Sequence, residues 1–277
     1  MKTVKAVVVF DRHLVVACVE AVSSHVILYM YLPRSGRWRR LPPPSITSIA
    51  ACQSIGDRYL IVVDNDGATM LYSLDDKLWH KCPSAPSPHR NGAAGVIRGR
   101  DRGRALIVCG GDTGEALVES GAKFDLKTKT WSSIAPMPEG REKMGSCVYK
   151  DRLVVAGGFI GEDLEDDTAS CIAYDPASDT WNEIGDLACP RSNVSLFNLG
   201  GRLVADCGDE FLEYDDRVNQ WAPSRLTARD RRSPGMTIAL RAFMLGDIAW
   251  AHHKSKFPSK RSSPMHRRIL SRRLRQR

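Results

Sequence analysis

The 277-residue sequence lacks long hydrophobic runs and lacks a secretory signal. Its longest apolar stretches, residues 6–10 and 14–19, are separated by three polar residues, far short of the roughly 20 residues that span a bilayer. The N-terminus has no uninterrupted apolar core followed by a small-residue cleavage site. We therefore expect a cytoplasmic or nuclear protein that has no membrane partner.

Paired cysteines and enzyme signatures are also missing. The eight cysteines are scattered without a CxxC pair, which argues against a zinc module or a thioredoxin-type site and favours reduced, buried thiols. No P-loop, dinucleotide fingerprint, HExxH or GxSxG motif occurs. These absences predict a protein that is not an enzyme and that needs no cofactor.

Acidic residues are absent from the C-terminal tail. Residues 251–277 hold ten Lys or Arg, so the formal charge of +8 leaves residues 1–250 with 30 bases against 32 acids, a net charge of −2. We expect the tail to be disordered and the body to bind no specific nucleic acid. Residues 260–261 and 267–277 are open to three interpretations: a nuclear-import signal, a loose polyanion contact, or a solubilising terminus.

The sequence does contain a repeat. Five tryptophans recur at intervals of 41, 52, 50 and 40 residues, the range of propeller blades, and an aromatic residue precedes each by seven positions. The five pairs are Tyr31 and Trp38, Tyr72 and Trp79, Phe124 and Trp131, Tyr174 and Trp181, and Tyr214 and Trp221.

A short β-branched run lies upstream of each pair, and tight polar turns separate these runs from a further apolar segment, as in a hairpin. Each unit therefore supplies about four strands. One such sheet cannot cover both of its faces, so neighbouring sheets must stack. Glycines that follow the runs, where a Cβ would obstruct close approach, are Gly110, Gly111, Gly157 and Gly158.

The hydrophobic run, double glycine, aromatic and tryptophan resemble kelch repeats over residues 4–229. The resemblance implies an all-β kelch propeller with five four-stranded blades, a partial sixth from residues 236–240 and 243–246, and a disordered tail. The expected blades are residues 1–44, 45–90, 91–141, 142–191 and 192–229, followed by the partial blade at 230–250 and the tail at 251–277.

The resemblance also implies a protein-binding function. Kelch domains place arginines at the channel rim, where they hold acidic peptides, and the residues that match this place are Arg90, Arg141, Arg191 and Arg229. The alternative is that each arginine pairs with the backbone or an acid of a neighbouring blade. Similar propellers are substrate receptors of F-box or BTB ubiquitin ligases, but strand-like sequence begins at about Val4 and leaves no room for either domain. We expect a protein or peptide ligand, and ligase subunits only through a bridging protein.

Two other hypotheses stay open. One is a metal-dependent propeller enzyme similar to galactose oxidase, for which the body offers only His13, His25, His80 and His89, or to nitrile-specifier proteins, for which Glu162 and Asp166 keep the ligand spacing while Ser170 replaces the histidine. The other is a truncated propeller that folds only when another chain fills the space after residue 229.

Overall fold

A computed structural model describes residues 2–10, 13–20, 25–56, 58–98, 103–161, 166–208 and 210–225. These residues form five antiparallel four-stranded sheets, each a meander in chain order, and they contain no helix. They accordingly include no helix that could cross a membrane. The predicted partial sixth blade and the basic tail lie outside the described residues.

The five sheets are the blades of a β-propeller. The first contains β1 (Lys2–Phe10), β2 (His13–Glu20), β3 (Val26–Leu32) and β4 (Arg37–Arg40). The second contains β5 (Ala51–Ile55), β6 (Tyr59–Val63), β7 (Thr69–Ser73) and β8 (Trp79–Cys82). The third contains β9 (Ala93–Arg98), β10 (Arg104–Cys109), β11 (Gly121–Asp125) and β12 (Thr130–Ile134). The fourth contains β13 (Gly145–Tyr149), β14 (Arg152–Ala156), β15 (Cys171–Asp175) and β16 (Thr180–Ile184). The fifth contains β17 (Ser195–Leu199), β18 (Arg202–Asp206), β19 (Phe211–Asp215) and β20 (Gln220–Pro223).

The first strand of every blade lines a central channel of about 600 Å³. The second strand is buried on both faces, which explains its continuous apolar sequence. In β10, for example, Leu106 and Val108 pack against blade 2, whereas Ile107 packs against blade 4. Stacked faces of this kind give four shared cores, one at each junction from blade 1 to blade 5. The predicted five-bladed, all-β propeller is therefore confirmed.

The aromatic pairs are cross-strand neighbours on the two outer strands. Tyr174 pairs with Trp181 across β15 and β16, and the seven-residue spacing follows from the four-residue turn 176–179 that joins these strands. All five pairs repeat one geometry, with ring centroids 5.2–5.3 Å apart and planes tilted by 49–54°. Tilted pairs at this distance add to the stabilisation that burial provides.

Four of the tryptophans also connect blades. Each donates its indole N–H to a backbone carbonyl in the chain segment that leaves the preceding blade. The bonds are Trp79 to Pro42 at 2.7 Å, Trp131 to Pro83 at 3.0 Å, Trp181 to Ala135 at 2.9 Å and Trp221 to Gly185 at 2.7 Å.

At two junctions a turn residue two positions before the tryptophan completes the contact. Asp179 accepts a hydrogen bond from the amide N–H of Ala135 at 2.9 Å. Blade 4 therefore binds both the N–H and the carbonyl of Ala135. Asn219 and Trp221 bind Gly185 of the fourth blade in the same way. Because these bonds require one orientation of adjacent sheets, they help to fix the blade-to-blade angle.

The indole bond yields a testable difference between two tryptophans. Trp181→Phe should lower the free energy of unfolding by about 1 kcal/mol more than Trp38→Phe, because a net hydrogen bond is typically worth that much and Trp38 donates to no described residue. The two ring pairs have the same 49° tilt, which makes Trp38 a matched control. Urea denaturation of both variants measures the difference, and equal losses would show that the bond contributes nothing.

Candidate functional site

The inter-blade links and the loops after the second strands form one face of the propeller. Because successive strands run in opposite directions, the loops after the second strands and the links between blades lie at the same end of the channel. Each link has ten residues, 41–50, 83–92, 135–144 and 185–194. We call this end the channel-mouth face. It opens into a cavity of about 540 Å³ lined by residues that include Lys5, Asn91, Lys143, Asn193 and Asp206.

Three links share a three-residue step at the mouth. Its first residue points inward, its second lies at the rim, and its third has a left-handed backbone conformation with an exposed side chain. The left-handed residues are Asn91, Lys143 and Asn193, with φ of 52°, 53° and 58°. Backbone bonds connect them around the channel, since the Lys143 amide donates to the Asn91 carbonyl and the Asn193 amide donates to the Lys143 carbonyl.

The inward side chain of the step binds the backbone carbonyl that follows the second strand of the next blade, the one that its link enters. The three bonds are His89 Nδ1 to Gly110 O at 2.9 Å, Arg141 Nη1 to Gly157 O at 3.4 Å and Arg191 Nη1 to Cys207 O at 2.8 Å. Each inward residue lies ten positions after its tryptophan, and Arg90 lies eleven positions after Trp79. The sequence analysis considered His89 only for a metal site and placed Arg90 at this position of the link, although a strict ten-residue count would have selected His89.

Arg141 is the most buried of the three rim arginines that the structure describes. Its side chain is only 2% exposed, and it donates to the Ser170 carbonyl at 3.1 Å as well as to Gly157. Glu139 lies 3.7 Å from the guanidinium. Burial lowers the pKa of Arg141, and the charge of Glu139 opposes that shift. An arginine keeps its proton in such a setting, so Arg141 places a buried positive charge among backbone carbonyls of blade 4.

The other predicted rim arginines differ from Arg141. Arg191 is 18% exposed and lies 3.9 Å from Glu210, whereas Arg90 is 40% exposed and lies 3.5 Å from Asp66. Arg229 lies outside the described residues. Of the three described arginines, a partner can therefore reach Arg90 most easily, and Arg90 directly precedes Asn91, which lines the mouth.

Glu142 organises the polar side chains at the mouth. It accepts a hydrogen bond from Asn91 at 2.9 Å and forms an ion pair with Lys143 at 2.7 Å. Burial raises the pKa of Glu142, but the bonds from Lys143 and Asn91 outweigh burial and the pKa is lowered. Glu142 is thus ionised at neutral pH and holds two donor side chains at the entrance of the channel.

The residues named for a metal site have other positions and partners. His80 pairs with Asp76 at 2.7 Å, and buried His89 bonds to Gly110, with a pKa that burial lowers. Ser170 contacts Arg141. Among the residues that the structure describes, no three His, Cys, Asp or Glu side chains converge. Glu162 and the neighbouring acids at 163 and 165 lie outside them.

The repeat and the fold together define a β-propeller of kelch units, and the Kelch motif profile matches residues 103–138 and 141–188. The chain therefore contains kelch repeats. These matches fall on the third and fourth blades, where the sequence motif is complete.

Curated relatives agree with this assignment. Kelch-like protein 41a of Danio rerio is 28% identical over 207 residues, which cover 72% of this chain and 33% of the relative. Spermatocyte protein spe-26 of Caenorhabditis elegans is 28% identical over 102 residues, 37% of this chain and 17% of the relative. Alpha-scruin of Limulus polyphemus is 24% identical over 134 residues, 43% of this chain and 14% of the relative. The chain spans a third or less of the length of these proteins.

Proposed function

We propose that this kelch propeller binds a protein partner through the channel-mouth face. The supporting observation is the repeated step that presents Asn91, Lys143 and Asn193 around the mouth, where Arg90 directly precedes Asn91 in the chain. These side chains are hydrogen-bond donors that a fixed backbone orients, so binding loses little side-chain entropy. A segment rich in Asp, Glu, Ser or Thr matches them, because carboxylates and hydroxyls accept from amide, ammonium and guanidinium groups.

We further propose that the protein is a substrate-recognition or adaptor module of the ubiquitin-ligase kelch type. The Kelch-like relatives support a protein-binding propeller, and the adaptor role is what the resemblance to F-box and BTB kelch proteins implies. In this proposal ligase subunits reach the propeller through a bridging protein.

Paired double variants test the binding face. Arg90→Ala with Lys143→Ala should reduce capture of the main partner at least about tenfold, because each lost charge-assisted hydrogen bond is worth about 1.5–3 kcal/mol. Lys127→Ala with Arg217→Ala removes the same two residue types from exposed turns at the opposite end of the blades and should leave capture unchanged. Quantitative mass spectrometry of captures with the full chain measures both.

Two outcomes would contradict these proposals separately. Equal retention of the partner by both double variants would reject the channel-mouth face as the site. In the other outcome, capture of a discrete partner is lost as expected, but ligase subunits never accompany it after cross-linking. This result would support the binding face and reject the adaptor role.

A further inference from the structure

A separate cavity lies in the groove between blades 1 and 2, at the end of the blades opposite to the channel mouth. Its volume is about 260 Å³, and its polar lining includes His13, Arg39, Tyr72 and Lys77. Lys77 belongs to the tight turn between β7 and β8, whereas Arg39 lies on β4. None of the described residues that line this cavity is acidic. The cavity therefore offers positive charge and hydrogen-bond donors to a ligand.

The repeat shows how the turn of blade 2 differs from the turns of blades 4 and 5. In blade 4 the residue two positions before the tryptophan is Asp179, which accepts a hydrogen bond from the Tyr174 hydroxyl at 2.7 Å. In blade 5 it is Asn219, which accepts from the Tyr214 hydroxyl at 2.6 Å. In blade 2 it is Lys77, which has the same left-handed backbone, with φ of 61°. A lysine side chain has only donors, so a cation replaces the oxygen acceptor beside the tyrosine.

Proline in the link explains how blade 2 accommodates this exchange. In blades 4 and 5 the acceptor side chain also binds the amide N–H of a link residue, Ala135 or Gly185. The equivalent residue in the link before blade 2 is Pro42, whose carbonyl binds Trp79 but which has no N–H. Lys77 therefore leaves no donor of this link without an acceptor, and the turn is free to carry a positive charge.

Neither cation of the cavity is neutralised by a carboxylate of the described chain. Arg39 and Lys77 form no ion pair there. The two acids beside Lys77 in the turn, Asp75 and Asp76, pair with other side chains at 3.2 and 2.7 Å. Residues 21–56, which include β4, contain no Asp or Glu. The positive charge at the cavity is thus available to an anion.

The charge of Arg39 also acts on the tyrosine of the cavity. Burial raises the pKa of Tyr72, and the positive charge of Arg39 opposes that shift. The guanidinium, which is held against Met30 with Nη2 3.6 Å from the sulfur, is therefore directed to the same space as the hydroxyl. An anion in this space would meet donors from both strands and from the turn.

We propose that this cavity binds the phosphoryl group of a phosphate ester. A phosphate monoester presents three acceptor oxygens and a charge close to −2, which match the guanidinium of Arg39, the ammonium of Lys77 and the hydroxyl of Tyr72. Met30 and Leu74 supply an apolar wall for the carbon stem of the ester. The site lies at the opposite end of the blades from the channel mouth and is independent of the proposed partner binding.

Calorimetric titration of the full chain with phenyl phosphate tests the proposal. At about 150 mM salt, which screens weak attraction to exposed charges, the ester should bind at one site. It should bind at least about tenfold more tightly than inorganic phosphate, because the apolar wall covers its ring. Arg39→Met with Lys77→Met should weaken binding at least about 100-fold, since each lost charge-assisted hydrogen bond is worth about tenfold or more.

Arg40→Met with Lys129→Met is the matched control. Arg40 follows Arg39 on β4 and therefore faces the other side of the strand. Lys129 is the equivalent of Lys77 in the turn of blade 3, with φ of 55°. This double variant should bind phenyl phosphate as the unaltered chain does. Lys77→Asn, which installs the residue of the blade 5 turn, should weaken binding at least about tenfold without lowering the melting temperature, and it tests the site even if the first double variant fails to fold.

Three results would overturn the assignment. Absence of saturable binding of phenyl phosphate to the unaltered chain would reject the site. Equal weakening by the two double variants would mean that the ester is attracted to the basic surface as a whole. Equal affinities for phenyl phosphate and inorganic phosphate would reject an ester as the ligand and identify the free ion instead.

Discussion

Arg141→Ala is expected to lower the free energy of unfolding by about 3–5 kcal/mol, the range for removing one partner of a buried charged network. The substitution removes a guanidinium that is 2% exposed and leaves the carbonyls of Gly157 and Ser170 without this donor. A buried group that loses its partner costs about 1–3 kcal/mol, and the vacated volume adds a cavity. The loss should therefore be among the largest for any single residue of the links.

Arg90→Ala is the matched control for this measurement. Arg90 lies one position further along the repeated step, is 40% exposed and contacts Asp66 at 3.5 Å. An exposed ion pair contributes about 0–1 kcal/mol, so this variant should stay within about 1 kcal/mol of the unaltered protein. Urea denaturation of both variants at neutral pH gives the comparison. Equal losses would mean that the Arg141 contacts with blade 4 do not stabilise the propeller.

This difference also decides which arginine can test binding. A loss of partner capture in an Arg141 variant would follow from damage to blade 4 as readily as from a missing contact. Substituting Arg90 and Lys143, whose side chains are 40% and 44% exposed, removes charge at the mouth and leaves the donors to the backbone carbonyls of blade 4 in place, while Glu142 loses its ion pair with Lys143. Binding experiments on this face should therefore use the exposed pair and keep Arg141 as a measure of folding.

The blades were predictable because their signals are local. A tight turn fixes the seven-residue spacing of Tyr174 and Trp181, and two-sided burial fixes the apolar sequence of β14. Both constraints act within one unit and repeat in the next, so a single sequence displays them five times.

The roles of the link residues were less predictable because they depend on the neighbouring backbone. Arg90 and Arg141 are the same residue type at neighbouring positions of equivalent links. The Arg90 side chain is nevertheless 40% exposed, whereas Arg141 binds backbone carbonyls of blade 4. The equivalent of Arg141 in the link that enters the third blade is His89, a residue of different charge, because only the position and a donor atom are required. Matching links by residue type therefore selects the wrong position when the repeat keeps only the backbone position and a donor atom.

The double glycine gives the second large effect. Gly111→Ala is expected to lower the free energy of unfolding by about 2–5 kcal/mol, the sum of a left-handed penalty of about 1–2 kcal/mol and an overpacking cost of about 1–3 kcal/mol. Gly111 has φ of +88°, and a Cβ built there overlaps the carbonyl oxygen of Arg90 and lies 2.9 Å from the amide nitrogen of Gly92. Both contacts are backbone atoms of the link, which cannot rotate away.

Gly201→Ala separates the two contributions. Gly201 has nearly the same φ, +86°, but a Cβ there meets no atom within 4 Å. Its substitution should cost only the left-handed penalty of about 1–2 kcal/mol. The difference of about 2 kcal/mol between the variants, measured by urea denaturation, then reports the close approach of the second strand to the link. If the two alanine variants unfold at the same urea concentration, the double glycine is required for its backbone conformation alone. The position of the link at the channel mouth would then not depend on the absence of a Cβ at Gly111.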